Sequence, residues 1–418
     1  MNSNFGFIPI ASQFIKTEEE LLKIAGKYFS SLKNLGVERW NEENLDIPNP
    51  LIYFIITGGT ENLFLNLFKK RTKFVKDEPV FLIAHPTHNS LPASLEILAK
   101  LQQEGISGKI FYISSENDLS TFENIKQNLT NSKTNLDLKK YKIGLIGSPS
   151  DWLIASSPDA NIVSKTWGPE VISIEMEEIT ELLNILNKDE IKDYYNSLVN
   201  KARSINEPTN EDIINNIKIY LALKRLTEKY KLTALTIRCF DLVLNIKSTG
   251  CFGLSQLNDD GYIAGCEGDL VSTVGMLWSY KLLNQIPWMA NPVQLDEVNN
   301  TLWLAHCTVP RSIVGSYNIR SHFESGIGVG IQGTFSNDKV TLMRIGGSNM
   351  EKIWLAEGEI IQTGNSEHLC RTQVEIKLSK GNVSELLNNP LGNHLILTKG
   401  HNSRELYDYW SNYINIRK

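Results

Sequence analysis

Toward the N-terminus, Leu51-Ile52-Tyr53-Phe54-Ile55-Ile56, Val80-Phe81-Leu82-Ile83-Ala84, Ile110-Phe111-Tyr112-Ile113 and Ile143-Gly144-Leu145-Ile146 are apolar without a break. Alternating apolar and polar residues mark a strand with one wet face, whereas an unbroken run marks a strand buried on both. Helical patterns lie between the runs, as from Glu18 to Leu35, and Phe7-Ile8-Pro9-Ile10 reads as an opening strand. That rhythm of strand and helix leaves one economical solution, a parallel sheet with helices on both faces. Three runs end in polar loops: Thr57-Gly58-Gly59-Thr60-Glu61, His85-Pro86-Thr87-His88-Asn89 and Gly147-Ser148-Pro149-Ser150-Asp151-Trp152. Open α/β sheets bind ligands beyond the carboxyl ends of their strands, where such loops lie.

A second α/β segment follows. Val171-Ile172-Ser173-Ile174 predicts a strand and Glu178 to Leu186 a helix. Glu207-Pro208-Thr209-Asn210 supplies helix-start chemistry for a long helix ending near Lys231. Leu235-Thr236-Ile237-Arg238-Cys239-Phe240 predicts a buried strand, and Gly268 to Leu283 a helix that stops before Pro287. Beyond about residue 295 short β-favouring runs with turn residues take over: Leu302-Trp303-Leu304, Gly328-Val329-Gly330-Ile331, Val340-Thr341-Leu342-Met343, Glu359-Ile360-Ile361 and Thr372-Gln373-Val374-Glu375-Ile376. They predict an antiparallel barrel or sandwich, closed by a helix from Ser403 to Tyr413. The Asn- and Lys-rich stretch from Asn117 to Lys142 reads as solvated. The expected architecture is therefore an N-terminal Rossmann-like domain (1–155), a second α/β domain (156–295) carrying Glu267, and a mainly β domain (296–418) carrying His306 and His394.

Composition narrows the function classes. At 418 residues and 41% hydrophobic, the chain can build a sizeable core. A net charge of −5 with no basic stripe argues against nucleic acid as a partner, and Ile416-Arg417-Lys418 is too short a basic run to alter that. The five cysteines contain no Cys-x-x-Cys pair, which excludes a zinc ribbon by spacing and fits a reducing compartment. Met1 to Phe5 lacks the basic and apolar segments of a secretion signal, and no apolar run approaches the ~18–20 residues of a membrane span. The expectation is a cytoplasmic protein with no membrane partner.

Candidate chemistry gathers around Cys266-Glu267-Gly268-Asp269, between the strand-like Tyr262-Ile263-Ala264 and a helix. An acid there, with oxygen and imidazole groups from elsewhere, can build a divalent-metal site whose open positions admit substrate. The alternative is that Glu267 and Asp269 simply complement a helix N-terminus. His306, in Trp303-Leu304-Ala305-His306-Cys307, and His394, before Leu395-Ile396-Leu397, are the imidazoles in apolar settings. Each is either a ligand or a hydrogen-bonded core residue. His401 follows in Lys399-Gly400-His401, while His322 and His368 lie in polar loops. Gly328-x-Gly330-x-x-Gly333 matches a dinucleotide fingerprint in letters, but a turn rather than a helix follows it. Gly58-Gly59-Thr60 lacks the ending of a phosphate loop, and no Gly-x-Ser-x-Gly elbow occurs.

Cys266-Glu267-Gly268-Asp269, Met276, Met289-Ala290-Asn291-Pro292, His306-Cys307 and Gly392-Asn393-His394 together resemble the L-fucose/L-arabinose isomerase superfamily, chiefly its fucose-isomerase-like C-terminal half. The resemblance implies an aldose–ketose isomerase that moves a proton between C1 and C2 through an enediol. It implies Mn²⁺, or another divalent cation such as Mg²⁺ or Co²⁺, held by Glu267 and His394, with His306 and Asn393 lining the pocket. It also implies a homo-oligomer, a trimer or hexamer, in which a neighbour's N-terminal loops reach the site. Arg238 is a candidate to steady a polar or anionic part of the sugar, or else pairs with Asp241 or Glu267. Asp269 and His401 are further candidates for the pocket.

One position departs from the family. Its second acid falls at Asn291, 24 residues after Glu267. Asparagine offers a metal a carbonyl oxygen but is no general base. Either Asp269 or Asp296 substitutes, or Glu267 works alone with a metal-bound water, or isomerase activity is weakened or lost. Glu267 is the first choice as base and ligand, with Asn291 a neutral ligand or pocket residue. Two other readings stand beside the isomerase: a non-catalytic sugar-binding or regulatory homologue, and a lyase or epimerase that shares the first proton abstraction.

Overall fold

The computed structural model describes residues 5–76, 78–186 and 188–415. Most of the segment read for a leader and the closing Ile416-Arg417-Lys418 lie outside them. The chain divides into two compact units, residues 1–137 and 138–418.

The first unit is a five-stranded parallel sheet. Its strands are β1 (Phe5–Ile10), β2 (Val37–Arg39), β3 (Leu51–Ile55), β4 (Val80–Ala84) and β5 (Gly108–Tyr112), in the order β2-β1-β3-β4-β5. The unbroken apolar runs are explained by two separate cores. Phe7, Ile52, Phe54, Phe81 and Ile83 pack on one face with Ala25, Phe29, Ile125 and Leu129. Ile8, Tyr53, Ile55 and Leu82 pack on the other with Phe64, Leu67, Ile97 and Leu101. β1, β3 and β4 thus bury both of their alternating sets of side chains, whereas β5, at the sheet edge, fully buries only Phe111. The helix Glu18–Asn34 begins in a capping box between Thr17 and Glu20, which satisfies two otherwise open N–H groups.

The Asn- and Lys-rich stretch is not a solvated loop. Leu119–Leu138 is one helix, and Phe122, Ile125 and Leu129 enter the first core. Its polar residues mask three apolar positions at helical spacing, and even Asn131, Ser132 and Asn135 are buried.

The second unit holds a parallel sheet and a barrel. Strands β6 (Lys142–Ile146), β7 (Glu170–Ile174), β8 (Ala234–Ile237) and β9 (Ile263–Gly265) run parallel in the order β7-β6-β8-β9. β6, which the sequence groups with the N-terminal runs, pairs here with β7 and β8. The run Leu235–Phe240 is strand only to Ile237; Cys239 and Phe240 begin the helix Cys239–Ile246. The long helix Asn210–Tyr230 starts in a capping box of Thr209 with Asp212.

Then follow β10 (Trp288–Asp296), β11 (Thr301–His306), β12 (Ser316–Arg320), β13 (Gly330–Thr334), β14 (Lys339–Gly346), β15 (Lys352–Thr363), β16 (Thr372–Lys380) and β17 (Leu395–Lys399). Six of them close an antiparallel barrel, β10-β11-β16-β15-β14-β17, while β12 and β13 form a separate hairpin. The fold class read from the sequence is thus present: parallel α/β sheets followed by an antiparallel barrel. The Gly-rich segment forms β13 and is no dinucleotide turn.

The helix Leu270–Leu283 joins sheet to barrel, touching β8 and β9 as well as β14 and β17. Its residues from Leu270 to Ser279 are all buried, and a Cβ at Gly275 would lie 2.5 Å from Ile396 Cδ1. This helix sets the carboxyl end of β9 against the barrel. Among the described residues no helix is long and apolar enough to cross a membrane.

Candidate metal centre

Glu267 lies just past the carboxyl end of β9, in a turn closed by Asp269 N–H donating to the Cys266 carbonyl at 3.1 Å. Both central residues are left-handed, with φ 63° at Glu267 and 73° at Gly268. Glycine adopts that conformation freely, whereas a residue with a Cβ pays roughly 1–2 kcal/mol. At Gly268 a Cβ would also come within 2.7 Å of Pro149 Cα. Glu267 keeps the strained conformation because its neighbours hold it, as at many functional sites. Ser150 N–H donates to its carbonyl at 2.9 Å, and Trp152 Nε1–H to its Oε2 at 2.6 Å.

β11 ends on His306 and β17 begins just after His394; both strands pair with β10 and run antiparallel to it. Because β11 pairs with β10 from Asn291 onward and β17 with β10 only up to Ala290, the end of β11 and the start of β17 adjoin at the Ala290–Asn291 step, and the two imidazoles meet there with ring centroids 5.5 Å apart. Glu267, His306 and His394 offer ligand atoms that all lie within 4.8 Å of one another. His394 Nε2 is 3.6 Å from Glu267 Oε1, and it is buried with no hydrogen-bond partner. An orphaned buried imidazole nitrogen is costly unless something occupies it, and a divalent cation between these three groups would.

The other side of His394 explains its orientation. Nδ1 lies 2.8 Å from Asp269 Oδ2. Asp269 is fully buried and also accepts from Ser272 N–H and Oγ–H, both at 2.7 Å. Arg344 Nη1 stands 3.4 Å from it. Burial favours the neutral acid, but Arg344 and His394 outweigh it and hold the carboxyl far below the usual range. An ionised carboxylate only accepts, so His394 Nδ1 is the donor and Nε2 faces Glu267. Metal-bound histidines are oriented in this way by a carboxylate behind the ring.

The charges fit a cation. Burial pushes the Glu267 carboxyl up, but His394, Trp152 and His306 bring it below its ordinary value. Burial pushes His394 down, yet Asp269 and Glu267 lift it to about 9, so a proton holds the place that a metal ion would take. His306 is driven down to about 4 by burial, with His394 adding to the effect, and is neutral at physiological pH. Its Nδ1 lies 2.8 Å from Thr308 Oγ1.

The remaining candidates fall in distinct places. Asn291 Oδ1 accepts from Asn393 Nδ2 at 3.2 Å. Asn291 pairs with Ala305, the residue before His306, and the neighbouring Ala290 pairs with Leu395, the residue after His394. The barrel register thus brings Asn291 and Asn393 beside the two histidines. Asp269 is corrected from pocket residue to buried support, since it exposes no surface. Asp296 does not stand in for the second acid either; it is exposed and caps the turn at Val298 and Asn299. Arg238 does not reach Glu267. It binds Asp151, Asp241, Ser148 and the Pro149 carbonyl, which ties down the loop whose Trp152 touches Glu267. His401 bonds the Gly358 carbonyl at the far end of β17 from His394.

Four residues escaped the sequence. Trp152 was visible only as part of a loop, and Thr308 and Ser156 carry no signal of their own. Arg344 was legible in principle: it is a cation following the apolar run Val340–Met343, and a charge in a buried strand asks for a reason.

Chemically, one carboxylate and two imidazoles from separate elements suit a first-row divalent ion with open positions for substrate oxygens. No known family profile matches the chain. Among curated proteins it is similar to the sulfoquinovose isomerases of Priestia aryabhattai and Priestia megaterium, 22% identical over 172 residues. It is 25% identical over 174 residues to the sulfoquinovose isomerase of Clostridium sp.. Each match covers 41% of this chain and 38% of the relative, well under half of either.

Proposed function

We propose that the chain is a metal-dependent aldose–ketose sugar isomerase with Glu267, His306 and His394 as the cation's protein ligands. The observation that carries this is the buried, unpartnered Nε2 of His394, aimed at Glu267 and backed by Asp269. The similarity to sulfoquinovose isomerases supports the reaction class and puts a sulfonated hexose first among substrates to test. Mn²⁺ is the first choice of ion, with Mg²⁺ and Co²⁺ as alternatives.

A cation bound there would polarise two adjacent sugar oxygens and so favour loss of the proton between them. Glu267 is the base: it is ionised and half-buried, and its strained turn aims it at the centre. It takes the proton from C2 of the aldose and returns it to C1, through an enediol. Trp152 holds one carboxylate oxygen, which leaves Oε1 toward the histidines. With a ring nitrogen of His306 and Nε2 of His394 on the cation, neither imidazole would have a lone pair free at the centre for the substrate proton. Asn291 and Asn393 serve as neutral pocket groups, with Asn291 offering a further oxygen ligand. A homo-oligomer and a cytoplasmic setting belong to the same reading.

The test is Mn²⁺ titration together with solvent-deuterium exchange at C2, across sulfoquinovose, L-fucose, L-arabinose and common aldoses, beside Glu267→Gln. Exchange in the wild type that disappears in the variant supports the assignment. Asn291 favours a second reading, a sugar-binding homologue without turnover, and metal uptake with no exchange on any sugar would establish it.

A further inference from the structure

Arg344 is the largest charged group at the centre that the chemistry above leaves without a role. Its side chain is 1% exposed. A guanidinium so deeply buried is tolerated only when its donors are met in good geometry, and these are met on two sides. On one side Nη1 stands against Asp269 and Ser272, and donates to the His394 carbonyl at 3.1 Å. On the other side Nη2 donates to Ser156 Oγ at 2.5 Å. Nε closes the set on the Leu391 carbonyl at 3.3 Å. Gly392, two residues before His394, leaves room for the group: a Cβ there would fall 2.2 Å from Arg344 Nη2.

The two sides lead to different ligands. Asp269 holds Nδ1 of His394. Ser156 belongs to the loop whose Ser150 and Trp152 hold the backbone and carboxylate of Glu267. The planar fork of a guanidinium can serve two such directions at once, which an ammonium cannot. We propose that Arg344 is a positioning residue that fixes His394 through Asp269 and Glu267 through Ser156, thereby setting the spacing of the metal ligands. This rests on the metal reading above.

Mn²⁺ affinity and the electron paramagnetic resonance spectrum of bound Mn²⁺ test the role, measured on wild type, Arg344→Lys, Arg344→Met and Ser156→Ala, with thermal unfolding in EDTA alongside. Supports behind metal ligands are worth roughly 10–100-fold in metal affinity. Arg344→Met is expected to lose at least about tenfold. Arg344→Lys keeps the charge beside Asp269 but not the second arm, so it should unfold near the wild-type temperature while binding Mn²⁺ several-fold more weakly with an altered spectrum. Ser156→Ala should move affinity and spectrum in the same direction, by less. If Arg344→Met does not fold, the other two variants decide. Wild-type affinity and spectrum in both folded variants would overturn the positioning role. Failure of the wild type to bind any divalent cation would overturn the metal reading itself, and this role with it.

Discussion

Replacing Asp269 with asparagine keeps the shape of the buried network and removes its negative charge. The carboxylate faces four donors: Ser272 N–H and Oγ–H, His394 Nδ1–H and Arg344 Nη1–H. The amide retains one acceptor oxygen and points a new donor into groups that already donate. Removing one member of a buried ion pair costs about 3–5 kcal/mol. The lower end applies here, because Arg344 keeps Ser156, His394 and Leu391 oxygens as acceptors. At about 2–4 °C per kcal/mol for a unit of this size, ~3 kcal/mol lowers the unfolding temperature by ~6–12 °C. Metal affinity should fall further than stability suggests, by roughly 10–100-fold, because His394 loses the partner that fixes its ring. Scanning calorimetry in EDTA and Mn²⁺ titration read the two effects separately. An unfolding temperature within about 2 °C of wild type, with unchanged Mn²⁺ affinity, would show that the carboxylate is idle.

The two histidines give metal-free stability opposite limbs. His394 is raised to about 9 from an ordinary 6.5, so its contribution is complete below about 6.5 and lost as pH rises through about 9. His306 is lowered to about 4, so stability falls as pH drops from about 6.5 through about 4. Unfolding temperature against pH in EDTA should therefore peak between the limbs, and His394→Gln should remove the alkaline decline; an unchanged alkaline limb contradicts the assignment. Trp152→Phe keeps the ring beside Phe240 but deletes the N–H on Glu267. The Glu267 carboxyl should rise and the acid limb of Mn²⁺ binding move to higher pH, and a superimposable profile would exclude the contact. Gly268→Ala should cost about 2 kcal/mol or more from the left-handed conformation and the approach to Pro149, measurable by denaturant unfolding; a neutral result would mean that the turn relaxes freely.

The unbroken apolar runs of β3 and β4 announced central parallel strands because both of their faces are buried, while the edge strand β5 carries such a run and still exposes Tyr112. The barrel strands were legible from short β-favouring runs and the glycines between them. The helix Leu119–Leu138 was not, since its core contact rests on a few apolar residues diluted by polar ones that happen to be buried. At the centre, Glu267, His306 and His394 were visible as residue types in suggestive surroundings. Their mutual approach depends on the β10 register and on the helix Leu270–Leu283, which no local pattern encodes. Asp269 was seen but misplaced: a sequence shows that an acid stands at a helix entrance, not that its carboxylate turns inward to His394 while Glu267 occupies a left-handed position. Arg238 reads in the sequence either as a sugar contact or as a partner of Asp241 or Glu267, and it pairs with Asp241 and Asp151; His401 bonds the Gly358 carbonyl.

Asn291 then gains a physical meaning beyond a missing acid. A divalent ion held by Glu267, His306 and His394 keeps a net charge of about +1, whereas a second carboxylate would cancel it. In the proposed reaction the uncancelled charge would strengthen attraction for the negative charge growing on the sugar oxygens as the proton leaves, in a site where burial weakens screening. On the proposed isomerase reading the cost is the loss of a second base, so Glu267 would serve both carbons, which demands that its position be tightly fixed. The turn at Glu267–Gly268, the bonds from Ser150 and Trp152, and the Arg344 arm through Ser156 all act on that one requirement. Restoring an acid with Asn291→Asp should therefore tighten Mn²⁺ binding while lowering the affinity for anionic sugars. If it changed the affinity for neither metal nor anionic sugar, Asn291 would stand outside the coordination sphere, and the charge argument would fail.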